Sequence, residues 1–343
     1  MRWGALAVVV LAGCGRLGFD SHAQPDAAAT GDAPIAPFDP SAGNCLDADS
    51  GPFTEVAAFP TAGGGYGLWS ASPYLLVADT TGGLHSLRFD GSVFTKVGDL
   101  PALGWTEAVW SDHTHYYVGA PGTGFYVIDL GGDGSLTIAA QNTTTLSEAR
   151  RGWLSNGTLF VPDGPNGLYA MRYDGTALSQ VGSPIAAMSW GQGAWSRDSR
   201  VLFADADYLR VLDFDGATFA DASPPNNAHP GVSRIWSDGS LVLVANADGV
   251  TAYQLSGATL TELDTLATGA SARDVWSDGQ HIFAVAENGM VFAAQLVGGK
   301  LMLLATAPTG TQGLGVFGDG TFVFTNDLTG GVHAFTGFAC RHW

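Results

Sequence analysis

A large aromatic residue returns every 40 to 43 positions along this 343-residue chain. The series is Trp69, Trp110, Trp153, Trp195, Trp236, Trp276 and Phe317, with steps of 41, 43, 42, 41, 40 and 41. A fixed period over most of a chain marks a repeat architecture, and a period of this length accommodates one four-stranded antiparallel unit. Around Trp276 the unit is legible in full. Trp276 leads into the turn Ser277-Asp278-Gly279, and the apolar segments 281–286, 290–296 and 301–306 follow, separated by Glu287-Asn288-Gly289 and Val297-Gly298-Gly299. Asp and Gly tolerate the left-handed backbone of tight turns, so the segment reads as strands joined by hairpins. The units around Trp69 and Trp236 follow the same plan.

Composition agrees. Glycine supplies 48 residues and charged residues only 13 percent, a mix suited to short strands and tight turns rather than helices. The formal charge of −18 repels phosphate backbones, so nucleic acid is not expected as a partner.

The seventh unit lacks its last strand. After Phe317 the chain has room for segments 321–325 and 332–336 and then ends. The missing strand lies at the other end, because Phe53-Thr54-Glu55-Val56-Ala57-Ala58-Phe59-Pro60 matches Phe94-Thr95-Lys96-Val97-Gly98-Asp99-Leu100-Pro101. A strand borrowed from the N-terminus closes a ring and removes both open sheet edges. By unit, period and closure the chain resembles the seven-bladed β-propeller superfamily over about residues 53–338. The expectation is an all-β, seven-bladed β-propeller of four-stranded antiparallel blades, closed by an N-terminal strand that completes the last blade. The blades lack the Gly-His pair and the strand-ending Trp-Asp of the Trp-Asp repeat family.

Upstream, Arg2 precedes the short apolar run Ala5 to Leu11, and Leu11-Ala12-Gly13-Cys14 resembles a bacterial lipobox. The run is too short to span a bilayer as a helix. The resemblance implies cleavage after residue 13 and lipid on Cys14, and more than one acyl chain anchors a soluble domain stably. Residue 15 is Gly rather than Asp, so the resemblance further implies the outer membrane. Residues 14–44 are rich in Ala, Pro and Asp and read as a disordered tether, leaving 45–343 for the propeller, expected to be a monomer. Cys45 and Cys340 remain, one before and one after the repeats. An even pair in an exported chain reads as a disulfide, worth roughly 5 kcal/mol by loop closure; two free thiols are the alternative.

Most of the chemistry-bearing residues have bland explanations. An aromatic at one point of every blade fits packing between blades better than sugar stacking. His85 and His333 sit sixteen residues after their aromatic, where other blades have Tyr126, Tyr169 and Phe292, so this is a structural position. His113 and His115 have no third ligand in view. Asp79, Asp163, Asp205, Asn246 and Asp327 recur after the second strand. Turn chemistry explains them and calcium is the alternative; no cofactor is expected. No GxSxG, HExxH or phosphate-loop motif occurs.

The informative positions are those that differ between blades. Three residues before each aromatic stand Tyr66, Glu107, Arg150, Gln192, Ser233, Arg273 and Leu314, and nearby are Trp105, Arg151, Trp190, Arg234, Asp274 and Gln312. This register lies where the innermost strand begins, beside the central channel. Two readings fit it and do not exclude each other. The charges plug the channel through ion pairs, or Arg150, Arg234 and Arg273 with Trp105 and Trp190 form a site for anionic or sugar-like groups. The functional expectation is a non-catalytic, lipid-anchored envelope module that binds a protein partner or a glycan. The alternative is a hydrolase or lactonase-type propeller with a metal in the channel.

Overall fold

The computed structural model describes residues 53–336. The expected lipid site Cys14, the tether and the Cys45–Cys340 pair lie outside these residues. The described residues form seven four-stranded antiparallel sheets. Six blades are consecutive in sequence, at 67–100, 108–142, 153–180, 191–221, 234–267 and 272–308. The seventh combines 313–336 with the strand Thr54–Phe59. Thr54 lies opposite Thr336 and Phe59 opposite Val332, so the N-terminal strand is the outermost strand of the last blade. A single 3-10 turn, Pro101–Leu103, is the helical content among the described residues.

Strand limits follow the pattern of turns. In the sixth blade the strands are Ala272–Ser277, Ile282–Ala286, Met290–Val297 and Lys300–Pro308. The outer strands of blades three and four shrink to Leu178–Gln180 and Phe219–Asp221. Pro184 and the pair Pro224-Pro225 follow them, and proline cannot donate to a ladder.

In blades two, five and six the turn after the aromatic is held by two side chains. Ser237 Oγ accepts from Gly239 N–H (2.9 Å) and donates to Leu241 O (2.7 Å). Asp238 Oδ1 accepts the N–H groups of Ser240 and Leu241, both at 2.7 Å. Ser277 and Asp278 repeat this geometry, as do Ser111 and Asp112. Glycine takes the positive-φ position in blades five, six and seven (Gly239 +96°, Gly279 +90°, Gly320 +85°). His113 takes it in blade two at +68°, and that explains its place without any metal.

The repeating aromatics lie in the interfaces between blades. Trp69 and Trp276 flank Phe317, with ring centroids at 4.6 and 5.5 Å, and Trp153 meets Trp195 at 6.4 Å. A Cβ at Gly318 would collide with the Trp276 ring of the preceding blade. All seven aromatics are buried, so each stabilises the ring through apolar area removed from water. The second strands, such as Tyr74–Ala78 and Arg200–Asp205, are covered on both faces by neighbouring blades. Their unbroken apolar runs follow from that double burial.

Candidate functional site

First strands of neighbouring blades lie against one another around the axis. The chain reaches them all at the same end, called here the mouth face. In blades four, six and seven the first strand begins with a bulge, and Gln192, Arg273 and Leu314 are the extra residues. A bulge re-aims the side chains around it, so the variable register of the sequence falls on a structurally variable feature.

One residue further along, the repeat is more telling. Two positions before the aromatics stand Gly67, Ala108, Arg151, Gly193, Arg234, Asp274 and Gly315. Where this residue is glycine, the next blade presses close. A Cβ at Gly67 would come within 2.8 Å of Glu107 O, and one at Gly315 within 2.6 Å of Tyr66 O. Where it is charged, the side chain reaches into the axis. Arg151 Nη1 donates to both oxygens of Asp274, at 3.1 and 2.9 Å, from blade three to blade six. Asp274 also accepts from Val275 N–H (2.9 Å) and Val316 N–H (3.2 Å). Arg234 is 6 % exposed and donates to Gln192 O (2.8 Å) and Ser233 O (2.9 Å). Burial pulls the Arg234 pKa below the usual arginine value; Asp274, Tyr66 and Glu107 act against that shift and Arg151 with it. Arg234 therefore lies within the electrostatic reach of Asp274, Arg151, Tyr66 and Glu107.

A second group lies nearer the surface. Arg150 pairs with Glu107 of the adjacent blade. Glu107 also accepts from Trp105 Nε1 at 2.8 Å. On the other side, the Arg150 guanidinium stands 5.9 Å from the centre of the Trp190 ring, within cation–π range. Trp105 is 42 % exposed and Trp190 36 %. The order Trp105–Glu107–Arg150–Trp190 therefore spans blades two to four, with an open indole at each end. Arg273 lies apart from this group and pairs with Glu287 in its own blade.

The structure thus divides the residues singled out in the sequence. Arg151 and Asp274 pair from blade three to blade six, with Arg234 buried in the same register. Trp105, Glu107, Arg150 and Trp190 form a row in which the two tryptophans are exposed and the charge pair between them is largely buried. Tyr66 and Gln192 are half-buried between blades. Arg234, expected to share a surface site with Arg150 and Arg273, is buried with its Nη1 on backbone carbonyls.

The recurrent acidic residues have a role that spacing did not show. Asp79 accepts from Gly63 N–H (3.1 Å), Asp163 from Glu148 N–H (2.6 Å), and Asp327 from Gln312 N–H (2.6 Å). Asp205 accepts from Met188 N–H (2.6 Å) and Ser189 N–H (3.0 Å). Each buried carboxylate clamps the loop that feeds the first strand of its own blade, including the loop that carries Trp190. Asn246 differs, bonding the Asp248 N–H of its own turn. His85 bridges Asp79 (2.9 Å) and Asp99 (2.7 Å), and His333 meets Glu55 (3.2 Å) across the closing strand pair. Among the described residues no three His, Cys, Asp or Glu side chains converge as metal ligands would.

No family model matches the chain, and no curated protein matches it either. Solved structures do match in shape. The β-propeller domain of Myceliophteria thermophila Cps50 (Swd1) superposes with a TM-score of 0.67 at 10% identity, covering 83% of this chain and 99% of that one. The WD40 β-propeller domain of Doa1 gives 0.63 at 12% identity, covering 83% and 97%. The computationally designed protein Ika8 gives 0.61 at 11% identity, covering 82% and 99%. At such identities the likeness concerns the fold alone. The chain is a seven-bladed β-propeller.

Proposed function

We propose that the chain is a non-catalytic binding module that recognises a protein partner or a glycan at its mouth face. The observation that carries this reading is the surface row Trp105–Glu107–Arg150–Trp190. Two open indoles flank a charge pair on a face where Arg151 and Asp274 join blades three and six. Open indoles beside hydrogen-bonding charges are suited to stacking on sugar rings and to anchoring apolar side chains of a protein. A buried ion pair between opposite blades favours recognition on the face over chemistry within the channel.

In this proposal the module sits in the bacterial envelope, held at the outer membrane by acyl chains on Cys14. Pull-down from envelope extract, paired with a glycan array, tests the recognition. The full chain should retain a defined ligand, and the Trp105→Ala/Trp190→Ala variant should lose it. An unchanged ligand set with the double variant would reject the mouth-face site. Cys14→Ser should release the protein from membranes; continued membrane fractionation would reject the anchor.

A further inference from the structure

On the mouth face the positive charges are paired or buried, and two negative charges are neither. Arg150 pairs with Glu107, Arg151 with Asp274, Arg210 with Asp205 and Asp221, and Arg273 with Glu287. Arg234 is buried with its Nη1 on backbone carbonyls. The two lysines of the chain, Lys96 and Lys300, lie on outer strands and pair with Asp99 and Asp264. Glu148 and Asp207 differ. Among the described residues neither meets a cation within ion-pair distance; Asp207 is exposed and Glu148 half-buried.

Both residues stand beside the loop that carries Trp190. A Cβ on Gly164 would meet Glu148 Cβ at 2.9 Å and the Trp190 ring at 3.2 Å, so the missing side chain lets these two come together. Gly191 N–H donates to Gly164 O at 2.8 Å and ties the same loop to blade three. From blade four, Asp207 Oδ2 accepts from Ser189 Oγ at 2.9 Å. Met188, in that loop, is 52 % exposed. Arg150 approaches the Trp190 ring, but its side chain is 13 % exposed and Glu107 meets its charge. What the face offers solvent here is an indole, a thioether and two carboxylates without cations.

We infer that the partner at this face is a basic protein segment, whose lysine or arginine side chains dock beside Trp190 and pair with Glu148 and Asp207. This rests on the mouth-face binding role proposed above and narrows its ligand. An indole ring attracts a cation through its negative face. Carboxylates add charge-assisted hydrogen bonds, and Met188 offers apolar surface to the aliphatic stem of a long basic side chain. An acidic glycan would meet two uncompensated carboxylates, and a neutral one would gain nothing from their charge. The formal charge of −18 also draws a basic segment towards the protein and speeds the encounter.

Isothermal titration of the purified full chain tests this, with Gly-Lys, Gly-Glu and Gly-Ser repeat peptides of equal length and a neutral oligosaccharide as probes. The Gly-Lys peptide should bind saturably and the other three should not, and its affinity should fall as ionic strength rises. Glu148→Gln combined with Asp207→Asn should weaken it about tenfold or more. Asp90→Asn combined with Asp174→Asn removes the same charge from exposed turns of the opposite face and should change it less than about twofold. Trp190→Ala should weaken binding about tenfold, and Trp190→Phe should restore part of it. Circular dichroism confirms that each variant folds like the parent. Equal weakening by the two charge-removing pairs would reveal attraction to net charge alone and overturn the inference. Failure of the Gly-Lys peptide to bind also overturns it. The mouth-face role itself survives either result if the Trp105→Ala/Trp190→Ala variant still loses its ligand from envelope extract, and that ligand is then a glycan or a protein without a basic segment.

Discussion

Arg151 and Asp274 are 123 residues apart in sequence, yet their side chains meet at 2.9 Å. Their blades are three places apart in the ring of seven, so the pair joins opposite walls of the channel. Asp274 is 2 % exposed. Removing it strands the Arg151 charge and two backbone N–H donors, so Asp274→Ala should cost about 3–5 kcal/mol. Arg151→Met combined with Asp274→Leu should recover part of that loss. A double-mutant cycle by urea denaturation checks it, and strictly additive losses would show the two residues uncoupled.

Interface packing makes a second prediction. Trp276→Ala removes a ring that touches both the next blade and its own hairpin, and should cost about 3–5 kcal/mol. Gly318→Ala inserts a methyl group into the same ring and should cost about 1–3 kcal/mol. Thermal unfolding of both variants measures this, and an unchanged midpoint for Gly318→Ala would contradict the geometry described.

His113 offers a gain. It holds a left-handed conformation where three other blades use glycine, and a residue with a Cβ is strained there by roughly 1 kcal/mol. His113→Gly should therefore stabilise the chain by up to about 1 kcal/mol. The midpoint of urea unfolding should rise.

His229 lies between Asp248 (2.8 Å) and Glu262 (3.1 Å). Burial opposes its protonation, but the two carboxylates outweigh that and raise its pKa above the usual histidine value. The protonated form is then favoured in the folded state. Its stabilisation is full below the unfolded value of about 6.5 and is lost as pH rises through the raised folded value. His229→Gln should flatten that part of the stability–pH curve. Proton NMR titration of the ring should show the upward shift; an ordinary or lowered value would refute it.

Asp205 connects the scaffold to the proposed site. Its carboxylate holds the N–H groups of Met188 and Ser189, just before Trp190. Asp205→Ala should speed amide exchange across this loop and weaken ligand capture, beyond a general loss of stability. The comparison is Asp79→Ala, whose clamp lies in another blade and should leave exchange near Trp190 unchanged.

Much of the fold was legible because a repeat shows its unit several times. The match between 53–60 and 94–101 located the closing strand, and Thr54–Phe59 does complete the last blade. The mouth-face register was legible as a set of positions, but not as a division of roles. Arg234 and Arg273 stand one register apart in the sequence, and the bulge at Arg273 and the burial of Arg234 show what that step means. The spacing of Asp79, Asp163 and Asp205 suits local turn chemistry and does not reveal their clamps. Their partners are backbone N–H groups about 15–17 residues upstream, and a backbone donor has no letter in a sequence. The contrast between small and charged residues two before each aromatic is visible in the sequence, and it separates blades that take a close neighbour there from blades that carry a charge.

The closing strand also decides how the molecule meets mechanical load. Thr54–Phe59 is bonded along one edge, to Gly331–Thr336, and among the described residues has no strand of its own blade outside it. A pull applied at Phe53 falls first on this latch rather than on the inner strands. Whatever peels it away opens the ring at a single seam, while the other six blades keep all four of their strands.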